Sequence, residues 1–237
     1  MADYSRIERP LDFDRLNPHL AVTLIVPLSI GLGANVVKRT GKPIIRILND
    51  SINMLINEIS MDGHLRHMVD LSILTYGTRG SHNIYQGFAP VGEIKPVDIV
   101  ADHGSLFITK VIDMAIDNTR SRLKQYAVSG GVDVLKPLII LIADECQDIG
   151  DTFMSTAANT RQREIDGKLR TLCFCLDGCD PTPFKELAEY VIMLNDYAFH
   201  ELFVWLGRVI QTLCNYGSMM PPLTAVNEEG CELFNRA

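Results

Sequence analysis

The sequence predicts an α/β domain with a mostly parallel central sheet of about six strands and helices on both faces, three layers in all. Three observations carry this expectation. Short, nearly continuous apolar runs of strand length recur, most clearly at residues 22–28 and 138–142. Longer stretches between them repeat their apolar residues at helical spacing. The chain has 237 residues, 47% apolar and 22% charged, which suits one soluble domain with a large unaided core.

Residues 1–19 are polar and broken by Pro10 and Pro18, and read as an N-terminal arm. The domain proper runs from 20 to 216. Residues 22–28 form a strand buried on both faces, ended by Pro27, which cannot donate a ladder hydrogen bond. Gly31, Gly33 and Gly41 punctuate the loop that follows. From Pro43 the period changes: Ile44, Leu48, Ile52, Leu55 and Ile59 mark one face of an amphipathic helix, and Pro43 suits its first turn. Residues 67–76 read as a second strand and 84–90 as a shorter edge strand, followed by an irregular loop to Gly104.

Ile108, Ile112, Ala115, Thr119 and Leu123 predict the next helix, with Ser105 placed to cap it. Residues 138–142 are the strongest buried-strand run in the chain. A polar helix over 152–166, a strand over 171–176, a short helix over 183–190, a strand over 191–194 and a helix over 198–214 complete the alternation. Phe199, Phe203 and Trp205 on that last helix read as core. Residues 217–237, with Pro221-Pro222 and Glu228-Glu229, read as a flexible or surface-wrapped tail.

Charge and targeting narrow the function. Lys and Arg total 22 against 29 Asp and Glu, a net charge of −7, so the phosphate-neutralising excess of a nucleic-acid binder is missing. Residues 20–37 carry no charge, but Pro27, Gly31, Gly33 and Asn35 interrupt them, so no membrane span is expected. The N-terminus lacks the apolar middle of an export signal, and the six cysteines are expected to be reduced thiols in a cytoplasm.

In a sheet of this kind ligands bind beyond the carboxyl ends of the strands, where strand order reverses. The loops expected there are residues 28–33, 103–105 and 143–148, which bring Ser29, Gly31, Ser105, Asp144 and Glu145 together. These residues are the candidate partner-binding set. With those loops, the stretches 41–59, 69–76 and 191–210 resemble a von Willebrand factor A (vWA) domain. The closest likeness is to the tellurite-resistance TerY-type group, and it covers residues 20–216. The resemblance implies a metal-ion-dependent adhesion site, opening with an Asp-x-Ser-x-Ser loop and completed by a Thr and an Asp from two further loops. Carried onto this chain, Pro27 stands at the Asp, Ser29 and Gly31 at the two serines, Ser105 at the Thr and Asp144 at the final Asp. Pro27 and Gly31 offer no side-chain oxygen, whereas magnesium demands near-octahedral oxygen coordination including carboxylates.

The expected function is therefore a non-enzymatic, cytoplasmic protein-interaction module with no cofactor. It binds a protein partner through the carboxyl-edge loops in a stress-response or tellurite-resistance setting, where the resemblance implies kinase- or phosphatase-associated partners. Two alternatives stand beside it. One is a metal-dependent domain holding magnesium or calcium at Ser29, Ser105 and Asp144. The other is a cysteine-dependent hydrolase or redox protein, using Cys146 with His103 or the cluster Cys173, Cys175 and Cys179. In the core reading, Cys173 and Cys175 point the same way from one strand. Lys38, Arg39 and Lys42 form a basic loop able to receive an acidic partner, and the Gly-Lys at 41–42 lacks the earlier glycine and following hydroxyl of a phosphate loop.

Overall fold

The run Leu-Ala-Val-Thr-Leu-Ile-Val-Pro forms β1 (Leu20–Pro27), buried along its whole length and ended by its proline as expected. In the computed structural model, which describes residues 17–37, 41–79, 81–129, 132–217 and 234–236, β1 lies third in a seven-stranded sheet, beside its central strand. The other strands are β2 (Val69–Tyr76), β3 (Asn83–Pro90), β4 (Leu138–Ala143), β5 (Arg170–Leu176), β6 (Tyr190–Leu194) and β7 (Phe234–Arg236). Their order across the sheet is β3-β2-β1-β4-β5-β6-β7. β1 runs parallel to β2 in the register Leu20↔Val69 to Pro27↔Tyr76, and parallel to β4 from Val22↔Leu138 to Ile25↔Leu141. β4, β5 and β6 continue in parallel, and only the two edges, β3 and β7, are antiparallel.

Alternation along β1 assigns the two faces. Leu20, Val22, Leu24 and Val26 pack with α2 (Ile44–Met61) and α6 (Phe199–Tyr216), and with the shorter α1 (Ile30–Ala34) and α3 (Leu65–Met68). Ile25 and the alternate residues of β4 and β5 pack against α4 (Thr109–Ser129) and α5 (Asp151–Ile165). The three-layer α/β architecture stands as the sequence predicts. The apolar stripe of α2 is buried at Ile44, Leu48, Ile52, Leu55 and Ile59, and Pro43 sits at its cap position. On α6, Phe199, Phe203 and Trp205 are core, with Trp205 edge-on to Phe174.

Several local expectations differ from the structure. Residues 30–34 form a helix of 5 residues where a loop was expected, and residues 65–68 form a single turn before β2. Residues 183–186 are a 3₁₀ turn rather than the start of a helix reaching 190. Of the expected tail, residues 218–233 and 237 lie outside the described residues, and Phe234–Arg236 pair with β6 in the register Ile192↔Arg236 to Leu194↔Phe234. A parallel strand at a sheet edge exposes a row of unpaired backbone groups, and a short antiparallel strand covers them. Residues 1–16 of the expected arm lie outside the described residues, as do Lys38, Arg39 and Cys231. His19, at the arm's predicted end, is buried and bridges Val134. No helix among the described residues is long and apolar enough to cross a membrane.

Candidate functional site

The strand order places the site. The chain leaves β1 for β2 on one side and later returns to β4 on the other, so a crevice opens at the carboxyl ends of β1 and β4. Ser29 lies at one lip and Asp144 at the other. The Ser29 hydroxyl donates to Asp144 Oδ2 at 2.6 Å, a short charge-assisted hydrogen bond across residues far apart in sequence. The second carboxylate oxygen, Oδ1, accepts the backbone N–H of Glu145 at 2.8 Å.

Each lip is held by its surroundings. On the Ser29 side, Ile30 N–H donates to the His103 carbonyl at 2.8 Å and His103 N–H to the Leu28 carbonyl at 2.9 Å, while Leu28 N–H donates to Tyr76 O at 2.8 Å. The His103 ring lies against Gly77, and its Nδ1 is 3.0 Å from the Thr78 hydroxyl. On the Asp144 side, the buried Tyr76 phenol donates to Ile142 O at 2.9 Å and accepts Asp144 N–H at 3.3 Å. Burial, with the nearby Cys146 and Asp144, drives the Tyr76 phenol pKa well above its ordinary value, so the phenol stays a neutral donor. Cys146 and Cys179 each place a thiol on the Asp144 carbonyl, at 3.1 and 3.5 Å.

Ser105 does not have the role expected of it. α4 begins at Thr109, and its first amides are capped from another loop: Asp148 accepts Ile108 N–H and Thr109 N–H at 2.9 Å each. A carboxylate at a helix N-terminus satisfies orphan donors and meets the positive end of the dipole, and here it also ties the β4 loop to α4. Among the described residues no hydrogen bond joins Ser105 to Ser29 or Asp144. Gly31 stays close, since a Cβ there would lie 3.9 Å from the Ser29 hydroxyl. Glu145 is exposed beside the pair. Sequence reasoning gave Tyr76 no role at the site and offered His103 as a partner for Cys146 rather than for Thr78, because these contacts join distant loops that no local pattern marks.

The cysteines of the alternative reading lie in or against the core. Cys173 and Cys175 are buried core residues of β5 facing the same way, with sulfurs 4.0 Å apart. Burial, then the neighbouring Cys179 and Asp148, pushes the Cys146 thiol far above the ordinary thiol range, and a hydrogen bond with Cys175 together with burial does the same for Cys179. A thiol held protonated is a poor nucleophile. The His103 ring engages Thr78 rather than Cys146. Among the described residues no group of three or more His, Cys, Asp or Glu side chains is placed to hold a metal ion.

No protein-family model and no curated protein matches this sequence. Solved structures do. The proximal thread matrix protein 1 of the mussel byssus aligns with a TM-score of 0.52 at 12% identity, over 82% of this chain and 48% of its own. The pilus adhesin SpaC from Lactobacillus rhamnosus GG aligns at 0.59 and 9% identity, over 85% of this chain and 32% of its own. The N-terminal domain of TFIIH p34 aligns at 0.55 and 13% identity, over 80% of this chain and 97% of its own. These are vWA-domain proteins. The fold is that of a vWA domain. The chain spans about half the length of the mussel protein and nearly all of the p34 domain.

The mussel protein also has a form whose metal-ion-dependent adhesion site holds zinc. The carboxyl edge of β1 and β4 here does not fit a divalent ion as arranged. Pro27 ends β1 where the vWA pattern places a carboxylate, and Gly31 supplies no hydroxyl. Ser29 and Asp144 hydrogen-bond each other, and both Asp144 oxygens already accept donors. Ser29 and Asp144 together offer a divalent ion a single formal charge.

Proposed function

We propose that this chain is a non-enzymatic vWA-type interaction module that binds a protein partner through its carboxyl-edge loops without a metal. The observation carrying this reading is the direct Ser29–Asp144 hydrogen bond at 2.6 Å, by which the two lips of the crevice satisfy one another. The vWA neighbours support the coarser statement, since they include adhesion and interaction proteins. The finer assignment follows the TerY-type resemblance: a degenerate adhesion site in a cytoplasmic protein of a stress-response or tellurite-resistance pathway, whose partner is kinase- or phosphatase-associated. Ser29, Gly31, Ser105, Asp144 and Glu145 are the proposed contact residues.

The test is thermal unfolding in EDTA and then with millimolar magnesium, calcium, manganese or zinc. An ion bound only by the native state at a hundredfold excess over its Kd stabilises by about 2.7 kcal/mol. In a domain of this size that moves Tm by roughly 5–10 °C. The expected result is no shift with any ion. A shift abolished by Asp144→Ala establishes a working metal site and overturns the reading. For the partner, covalent capture in cells by the wild-type chain is expected to be lost with Asp144→Ala and with Ser29→Ala, while both variants keep a single cooperative melting transition within a few degrees of the wild type.

A further inference from the structure

A series of polar groups beside the crevice takes no part in the Ser29–Asp144 contact. It joins the loop after β2 to the loop before α4. The Thr78 hydroxyl lies 3.0 Å from His103 Nδ1, and the Thr78 backbone N–H donates to the same nitrogen at 3.4 Å. An amide can only donate, so Nδ1 is the acceptor and the ring carries its proton on Nε2. The Thr78 hydroxyl must then donate to Nδ1 as well. Its oxygen is left to accept from the Ser81 hydroxyl at 3.0 Å. On the far side of the ring, Nε2 faces the Asp102 carboxylate, with Oδ1 at 3.6 Å.

Packing fixes this order. Only a glycine at 77 lets the ring come so close, since a Cβ there would lie 2.6 Å from Cγ and Cδ2 of His103. Phe107 N–H holds Gly77 O at 2.9 Å, and Ser81 N–H donates to Thr78 O at 2.7 Å, a tight turn that brings the two hydroxyls together. Thr78, Ser81 and His103 are half-buried and Asp102 is exposed, so the series lies at the surface.

A hydroxyl is a weak nucleophile until a neighbouring base takes its proton. Here the base is in place. Ser81 donates to the oxygen on which charge gathers as that proton leaves, and Asp102 faces the cation that forms on the ring. We propose that Thr78 is a covalent modification site whose hydroxyl accepts the acyl group of an activated ester, with His103 as the base. Thr78 Oγ1 bonds to the carbonyl carbon as its proton passes to Nδ1. The bond from that carbon to the leaving oxygen then breaks, and the leaving oxygen keeps the electron pair and takes the proton from Nδ1. The acylated oxygen has no proton left to donate to Nδ1. His103 pairs through its backbone with Leu28 and Ile30 on either side of Ser29, so the modification acts on one lip of the crevice. The transfer is a single event per chain, goes beyond the interaction reading and does not rest on it.

The test treats the full chain with p-nitrophenyl acetate, following nitrophenolate release by absorbance and locating the acetyl group by peptide mass spectrometry. One equivalent is expected to react rapidly and to acetylate Thr78 ahead of any lysine. The exposed Ser121, whose hydroxyl donates to the Asp117 carbonyl, is expected to stay unlabelled. Thr78→Val is expected to abolish the rapid phase and Thr78→Ser to keep it. His103→Gln removes the base and is expected to slow it about a hundredfold. Gly77→Ala removes none of the four groups but intrudes on the ring, and is expected to slow it too. Circular dichroism melts of each variant separate lost chemistry from lost fold. A rapid phase that survives Thr78→Val or His103→Gln in folded protein, or acetyl found only on lysines or on Ser81, overturns the assignment. If the wild type shows no rapid labelling, the inference fails and the interaction reading stands. If acetyl-Thr78 forms and then turns over with repeated ester cleavage, the inference stands and the non-enzymatic reading fails.

Discussion

Gly77 packs so closely on His103 that a Cβ there would lie 2.6 Å from the ring's Cγ and Cδ2, and a Cβ on Gly33 would lie 2.1 Å from the Ala101 carbonyl oxygen. Neither position has the positive φ that would demand glycine by itself. What demands it is close approach, of the β2 end to the residue 103 loop and of α1 to residue 101. Gly33→Ala meets backbone that cannot swing aside, and is expected to cost about 1–3 kcal/mol in urea unfolding. Gly77→Ala meets a side chain and is expected to cost less, while displacing His103 from Thr78. A Gly33→Ala protein as stable as wild type would contradict the packing of α1 on this loop.

At the amino end of the sheet, Asp70 is buried with Arg122, His19 and Tyr126. Arg122 Nη2 lies 3.1 Å from Oδ1, His19 Nδ1 lies 3.5 Å from Oδ2, and the Tyr126 phenol donates to Oδ2. Burial alone would raise the Asp70 carboxyl, but the hydrogen bond from His19, the Arg122 charge and the Tyr126 phenol outweigh it and hold the pKa below its ordinary value. A carboxyl lowered in the folded state stabilises fully above its unfolded pKa, about 3.9, and loses that contribution as pH falls through the folded value. Asp70→Asn is therefore expected to flatten the acid limb of stability against pH below about 4. Arg122→Met strands a buried carboxylate and is expected to cost about 3–5 kcal/mol near neutral pH. An unchanged acid limb in Asp70→Asn would show that the carboxyl is not held down by folding.

At the scale of elements, legibility followed locality. α2 was readable because its apolar stripe is set within its own residues, and β1 and β4 because strands buried on both faces must be apolar throughout. β7 was not, since three residues at an edge carry no period and form a strand only because β6 offers them a partner. The cap of α4 failed for the same reason. Ser105 is the residue type a local rule selects, yet the acceptor is Asp148 from the loop after β4. Asp148→Ala is expected to destabilise by about 1–2 kcal/mol and to loosen the Asp144 loop, whereas Ser105→Ala should fall within about 0.5 kcal/mol of wild type. The reverse ranking in chemical denaturation would return the cap to Ser105. Of the candidate site, Ser29 and Asp144 were legible through the vWA resemblance, but their direct bond was not, because nothing local specifies a contact between two loops.

At the scale of the whole molecule, the sheet is layered in stability as well as in space. β1, β2, β4 and β5 are covered on both faces and hydrogen-bonded on both sides. β3 is an edge strand with exposed residues and two register shifts against β2, and β7 is only 3 residues long. Backbone amides in the four central strands should exchange with solvent only through global unfolding, and those of β3 and β7 through local opening at much lower free energy. The crevice residues sit where these regimes meet: Ser29 and Asp144 follow the two central strands, so their bond closes the rigid part of the sheet at its carboxyl end. Ser29→Ala removes that bond from the native state alone, so it should speed exchange of the Leu28, Ile30 and Glu145 amides about tenfold, the equivalent of the roughly 1.4 kcal/mol that a charge-assisted hydrogen bond contributes. Amides in the middle of β1 and β4, which exchange through global unfolding, should speed up by the same factor. No acceleration at those three amides would mean that the two lips hold their places without it.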